Sequence, residues 1–385
     1  MTGARRPGRP DDGSGTAPAP ASRRWWIDRL RVTVIGAVIA VHAATAYVVP
    51  ISWYYEERTT SDVTPVLLGR PVELLAAFGL SPLFLVAGVL AAGSLARRGP
   101  AAYAATRLLR LGVPAVVYVV ILDPVVRWIV ARAEGYDRPL TAELTDLGNG
   151  RGFGPLWFVV ALLGFSLLYA GGRWLRPASP GPAETIGGGP LLLVGASIAV
   201  LDLLTWPRVP GAIDRYLDFD WPHWQQAAGV FVLGVLAGER GWFDRMPASL
   251  VRSCGRLALL MVAGLTVLTA TSIPGGAGPA ASGWWQGVLI ALLDGGTAVV
   301  LMIWLVDRVQ TTWSTRPTEL TARAARGSYA AYVFHPVVLV ALSVALRTTG
   351  WAPEVKALLV AVVGVPAAFL VGSLVARLPG VRRLL

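Results

Sequence analysis

The feature that most constrains this chain is a recurring apolar run of roughly 18 to 23 residues, broken by short segments rich in Gly, Pro and Arg. At ~1.5 Å rise per residue such a run matches the ~30 Å hydrocarbon core of a bilayer. Inside lipid every backbone N–H and C=O must bond within the protein, so these runs are expected to be helices. A membrane barrel would alternate apolar and polar residues in shorter strands, and these runs do not alternate. Ten spans are expected, near residues 30–49, 72–95, 108–130, 155–174, 189–205, 222–239, 254–273, 284–306, 328–347 and 355–376. The fold class is therefore all-α, a polytopic membrane bundle of about ten transmembrane helices. Composition agrees: 15% of residues are charged, against about 25% in soluble domains.

Charge distribution sets the expected topology. Arg97, Arg98, Arg107 and Arg110 follow the second span, and Arg308, Arg316, Arg323 and Arg326 precede the ninth. The segments on the other side hold Glu56, Glu57, Asp62, Glu134, Asp137, Glu143 and Asp146. Loops rich in arginine stay on the cytoplasmic face. The expectation is a multi-pass plasma-membrane protein with both termini cytoplasmic. This also accounts for most of the net charge of +11 without a nucleic-acid partner. Residues 1–24 are read as a disordered basic cytoplasmic tail, and 25–385 as one ten-helix domain. A basic stretch, an apolar run and Ala44-Thr45-Ala46 follow the order of a signal peptide. The basic stretch is too long for one, however, and the run continues to Val49. A single cysteine, Cys254, excludes an intrachain disulfide. With only three histidines, His42, His223 and His335, no metal cluster is expected.

Against this apolar background a few polar groups stand out. His42 lies inside the first span, eleven residues beyond Arg31, about 16 Å along a helix. An ionisable side chain at that depth marks a functional site. With an ordinary pKa of about 6.5, histidine suits a general base at neutral pH. Asp28, Arg29 and Arg31 form a charged gate at the start of the span. Arg107 and Arg110 are three apart, so they share a helix face, and two guanidiniums suit phosphate. The plainer alternative for them is contact with lipid headgroups. Pro155-Leu156-Trp157-Phe158 opens the fourth span, where aromatic residues also form ordinary interfacial belts. Ser328-Tyr329-Ala-Ala-Tyr332-Val-Phe-His335 opens the ninth, with Tyr329, Tyr332 and His335 on one stripe. That stripe either reaches the cavity of His42 or bonds helix to helix. Glu73, Asp202 and Asp294 are the candidate acids for a histidine partner.

Taken together these motifs resemble acyltransferase family 3, the integral-membrane acyltransferases. That family shows a basic residue, ten residues and a histidine in its first helix, matched by Arg31 and His42. It shows Arg-x-x-Arg at the start of the third helix, matched by Arg107 and Arg110. Its Pro-Leu-Trp-Phe and Ser-Tyr-x-x-Tyr-x-x-His patterns match at 155–158 and 328–335. The resemblance runs from about Arg24 to Ala376. The wording of the first three spans is most similar to the branch containing the periplasmic-glucan succinyltransferases. The resemblance implies acyl-CoA as donor substrate, with its phosphates on Arg107 and Arg110 and no metal. It implies that His42 takes the proton of the acceptor hydroxyl or relays the acyl group itself, and that Arg31, with Asp28 beside it, orders the gate or contacts the donor. Trp157, Tyr329, His335 and Glu73 are the expected cavity residues. The acceptor would be a hydroxyl of a sugar, a glycan or a lipid-linked carbohydrate. The expected cavity opens to the cytoplasm beside Arg107 and Arg110 with His42 at its end. A lipid or glycan transporter is the alternative, but it predicts inverted repeats, and no repeat is visible. A scaffold or channel subunit leaves two intramembrane histidines without a reason.

Overall fold

A computed structural model describes residues 25–49, 51–146, 152–177, 184–205, 221–271 and 284–381; the expected tail at 1–24 lies outside them. All regular structure among the described residues is helical. The first span is α1 (Trp25–Thr45), and the second is α2 (Arg70–Gly79) followed by α3 (Ser81–Arg98). The third is built from α4 (Pro100–Arg107), α5 (Val113–Val117) and α6 (Asp123–Ala133), and a short α7 (Leu140–Thr145) follows. Then come α8 (Trp157–Leu175), α9 (Gly188–Thr205), α10 (Trp221–Arg240), α11 (Ala248–Thr271), α12 (Trp284–Thr312), α13 (Glu319–Leu346) and α14 (Pro353–Val375).

Local sequence explains the breaks. Gly99, at φ 78°, turns the chain between α3 and α4 in a conformation that side chains disfavour. Within the third span the π-helical turns Leu108–Gly112 and Tyr118–Leu122 are each followed within two residues by proline, Pro114 and Pro124. Proline removes the N–H that would continue the normal ladder, and wider turns of this kind gather at functional sites.

Eight helical segments are long and apolar enough to cross a membrane, from Pro65–Arg98 to Pro353–Val375. The expected first and sixth spans, α1 and α10, are helices but are not among the eight. Asp28, Arg29 and Arg31 crowd the opening of α1, and α10 begins Trp-Pro-His-Trp-Gln-Gln. Both run against other helices: α1 packs on α13 and α14, and α10 on α3 and α9. Gln225 and Gln226 of α10 are buried there. Leucines such as Leu168, Leu192 and Leu259 are each over 70% exposed, which suits a surface that faces lipid. The chain is an all-α polytopic membrane bundle.

Lipid is as apolar as leucine, so helices associate by close packing and polar contacts. A Cβ on Gly234 of α10 would fall 2.1 Å from the Leu85 carbonyl oxygen of α3, and one on Gly372 of α14 would fall 2.4 Å from the Ala331 nitrogen of α13. These two crossings bring the backbones nearly into contact. Between them an aromatic core fills the bundle, with Phe84 and Phe158 at 4.6 Å between ring centroids and Phe165 against Trp224 and Phe231.

Candidate active site

His42 sits on the part of α1 that packs on α13. Its Nδ1 lies 3.2 Å from Nε2 of His335, which is fully buried. The His335 Nδ1 is 2.5 Å from the Tyr332 carbonyl oxygen. The local cause is Pro336, which lacks the N–H that would bond the carbonyl four residues back. Sequence reasoning offers Glu73, Asp202 and Asp294 as partners for a histidine, yet the ring that touches His42 is another imidazole.

A cavity of about 1100 Å³ adjoins the pair. His42, Trp53, Tyr54, Glu73, Arg127 and Trp157 line it. Trp53 stacks on His42 with ring centroids 4.6 Å apart and planes 25° apart, so it fixes the tilt of the imidazole. A strap of residues 46–49 and 51–64 carries Trp53. Backbone bonds Glu57 N–H to Ala46 O and Thr59 N–H to Tyr47 O fold the strap back on the end of α1. The Arg58 guanidinium donates to the Ile51 carbonyl at 2.9 Å and to those of Thr45 and Val49. Lys356, the sole lysine, is buried at the start of α14 and pairs with Glu57 at 2.6 Å.

A buried polar network supports the other wall. Tyr54 Oη donates to Asp123 Oδ1 at 2.7 Å and lies 2.8 Å from Tyr118 Oη. Arg127 Nε donates to Asp123 Oδ2 at 2.9 Å. Asp123 has no exposure at all, and these partners compensate its burial. Burial, with Tyr118 and Asp123 beside it, raises the Tyr54 phenol well above its ordinary pKa, so it remains a donor. Gly154 closes the network at φ 43°, where a Cβ would meet Tyr54 Oη at 2.7 Å.

The structure brings together His42, Glu73 and Trp157 on the cavity, with His335 directly behind His42. Tyr329 and His335 do not line the cavity, contrary to expectation. Tyr329 instead donates to the Arg110 carbonyl at 3.1 Å, an oxygen that lacks the ordinary α-helical donor because Pro114, four residues on, has no N–H. Arg107 and Arg110 do not line it either. The Arg107 guanidinium lies 5.0 Å over the Tyr103 ring, and Arg110 is exposed. The cavity thus sits under the strap and the α6–α7 segment, not beside the arginines. Arg31 shares a face with His42, since eleven residues make about three turns, but it stands at the far end of α1. It interacts there with Asp28, while Arg29 bonds Thr315 and the Arg316 carbonyl. Pro155, Leu156 and Phe158 are buried, so this motif is no lipid-facing belt.

Sequence reasoning passes over Trp53, Tyr54, Asp123 and Arg127. Only the last two left a signal, an acid and a base four residues apart inside an apolar span.

In comparisons with known proteins, no curated protein and no solved structure matches the chain. A family model described as an acyltransferase domain, Acyl_transf_3, matches residues 24–377. That match spans α1 to the end of α14 and includes the histidine pair and the cavity beside it. The chain is a multi-pass membrane protein belonging to acyltransferase family 3.

Proposed function

We propose that this protein moves a short acyl group, acetyl or succinyl, from cytoplasmic acyl-CoA to a hydroxyl of a sugar, glycan or lipid-linked acceptor. It does so in the plasma membrane with both termini cytoplasmic. The observation that carries the reading is the imidazole pair beside a cavity of about 1100 Å³. His42 takes the proton of the acceptor hydroxyl as its oxygen attacks the thioester carbonyl. The C–S bond then breaks, and His42 returns the proton to the departing thiolate. A positioned base of this kind contributes about 10² to 10⁴ in rate.

Charge divides the two substrates. Glu73, Glu134 and Glu143 line the cavity against Arg127, which Asp123 already engages. Such a lining disfavours a polyanionic donor and suits a neutral polyhydroxyl acceptor. Aromatic faces at Trp53, Tyr136 and Trp157 add apolar platforms. At the other end of the bundle neither Arg107 nor Arg110 is paired with a carboxylate among the described residues, which leaves both for the donor phosphates. The wording of the first three spans favours a succinyl or similar short chain.

The test is transfer of labelled acetyl or succinyl from coenzyme A to glycan and lipid fractions by protein reconstituted in vesicles. Mass spectrometry would identify the acceptor. His42→Ala should abolish transfer while the protein still inserts. Full activity in that variant would remove His42 from the mechanism.

A further inference from the structure

The geometry points to His335 as a positioning residue that holds the proton of His42 on Nδ1 and leaves Nε2 as the basic nitrogen. Pro336 lies inside the 28-residue helix α13. Proline has no N–H, so the Tyr332 carbonyl loses its helical donor. His335 Nδ1 lies 2.5 Å from that oxygen. A carbonyl only accepts, so His335 carries its proton on Nδ1. A neutral imidazole has one N–H and one bare nitrogen, which makes His335 Nε2 an acceptor. It faces His42 Nδ1 at 3.2 Å, and that nitrogen must therefore supply the proton. The bare nitrogen left over is His42 Nε2.

Two further contacts hold this arrangement. The Tyr332 phenol donates to the Pro155 carbonyl, which anchors that turn of α13 to the start of α8. Trp53 lies nearly parallel to both imidazoles, at 25° to His42 and 20° to His335. Neither ring can turn over without leaving its partner. When His42 gains a proton on Nε2, its Nδ1–H still points at the lone pair of His335, which stabilises the cation. A backbone carbonyl freed by proline thus plays the orienting part that a carboxylate plays in serine hydrolase triads.

The kinetic half of this inference rests on His42 being the base; the tautomer itself does not. The test is nitrogen-15 NMR of ring-labelled histidine in the full protein in bilayers. With three histidines in the chain, His42→Ala and His335→Leu assign the signals. The expected result is a protonated Nδ1 and a bare Nε2 for both His42 and His335. A proton on Nε2 of His42 would overturn the inference. In His335→Leu, His42 should show both tautomers and kcat should fall on the order of 10²-fold, with the KM for acyl-coenzyme A unchanged. His335→Gln can place an oxygen where Nε2 stands and should recover part of that loss. Equal loss in both variants, with His42 unchanged by NMR, would reduce His335 to packing. If the tautomers are as expected but wild-type protein transfers no acyl group, the proposed function fails while the proton arrangement stands.

Discussion

Replacing Asp123 with alanine removes a carboxylate that joins the third span to the strap over His42. It is fully buried and accepts from Tyr54 at 2.7 Å and from Arg127 at 2.9 Å. A hydrogen bond to a charged group contributes about 1.5–3 kcal/mol. Breaking a buried ion pair from one side costs about 3–5 kcal/mol. Two facts lower that figure here. The Arg127 side chain is 38% exposed, so water screens it, and Tyr54 keeps Tyr118 as a partner. A net loss of about 2–3 kcal/mol follows from the hydrogen-bond scale alone. Tyr54→Phe should cost about 1–2 kcal/mol by the same scale, and the double variant should cost less than the sum because the two share one bond. The assay is reversible unfolding in mixed detergent, followed by tryptophan fluorescence. Trp53 contacts Tyr54 edge to face at 5.3 Å, so loosening of Tyr54 should also raise the rate at which diethyl pyrocarbonate modifies His42. Strict additivity, or a loss under about 0.5 kcal/mol for Asp123→Ala, would refute the network as a support.

Three more outcomes are expected. Lys356→Ala unpairs Glu57 at the base of the strap and should expose Arg58 to trypsin at least several-fold faster, with a stability loss of about 2 kcal/mol because Glu57 is partly solvated. Gly154→Ala must adopt φ 43° and push Tyr54 Oη away; it should cost about 1–2 kcal/mol for the backbone alone, measured by the same unfolding assay. Arg107→Gln with Arg110→Gln should raise the KM for acyl-coenzyme A about 10-fold or more while leaving acceptor binding unchanged, as initial rates at varied concentrations of each substrate would show.

Much of the fold was legible in the chain because its physics is one-dimensional. Run length against bilayer thickness decides that these segments are helices, and the eleven-residue step from Arg31 to His42 sets the depth of the imidazole. The stripe of Tyr329, Tyr332 and His335 also follows from helical spacing. Spacing along one helix does not say what stands beside it, however. Arg31 and His42 share a face and a motif, yet they lie about 16 Å apart. His335, 293 positions away, is the group His42 touches. Trp53 was invisible because a loop has no periodicity; its place over His42 depends on Arg58, Glu57 and Lys356 meeting across three segments. Proline shows the division most clearly. The sequence alone determines that Pro114 and Pro336 cannot give the Arg110 and Tyr332 carbonyls the ordinary α-helical N–H four residues on. Only the packing of α13 against α1 and the third span decides that Tyr329 and His335 are the donors that fill them.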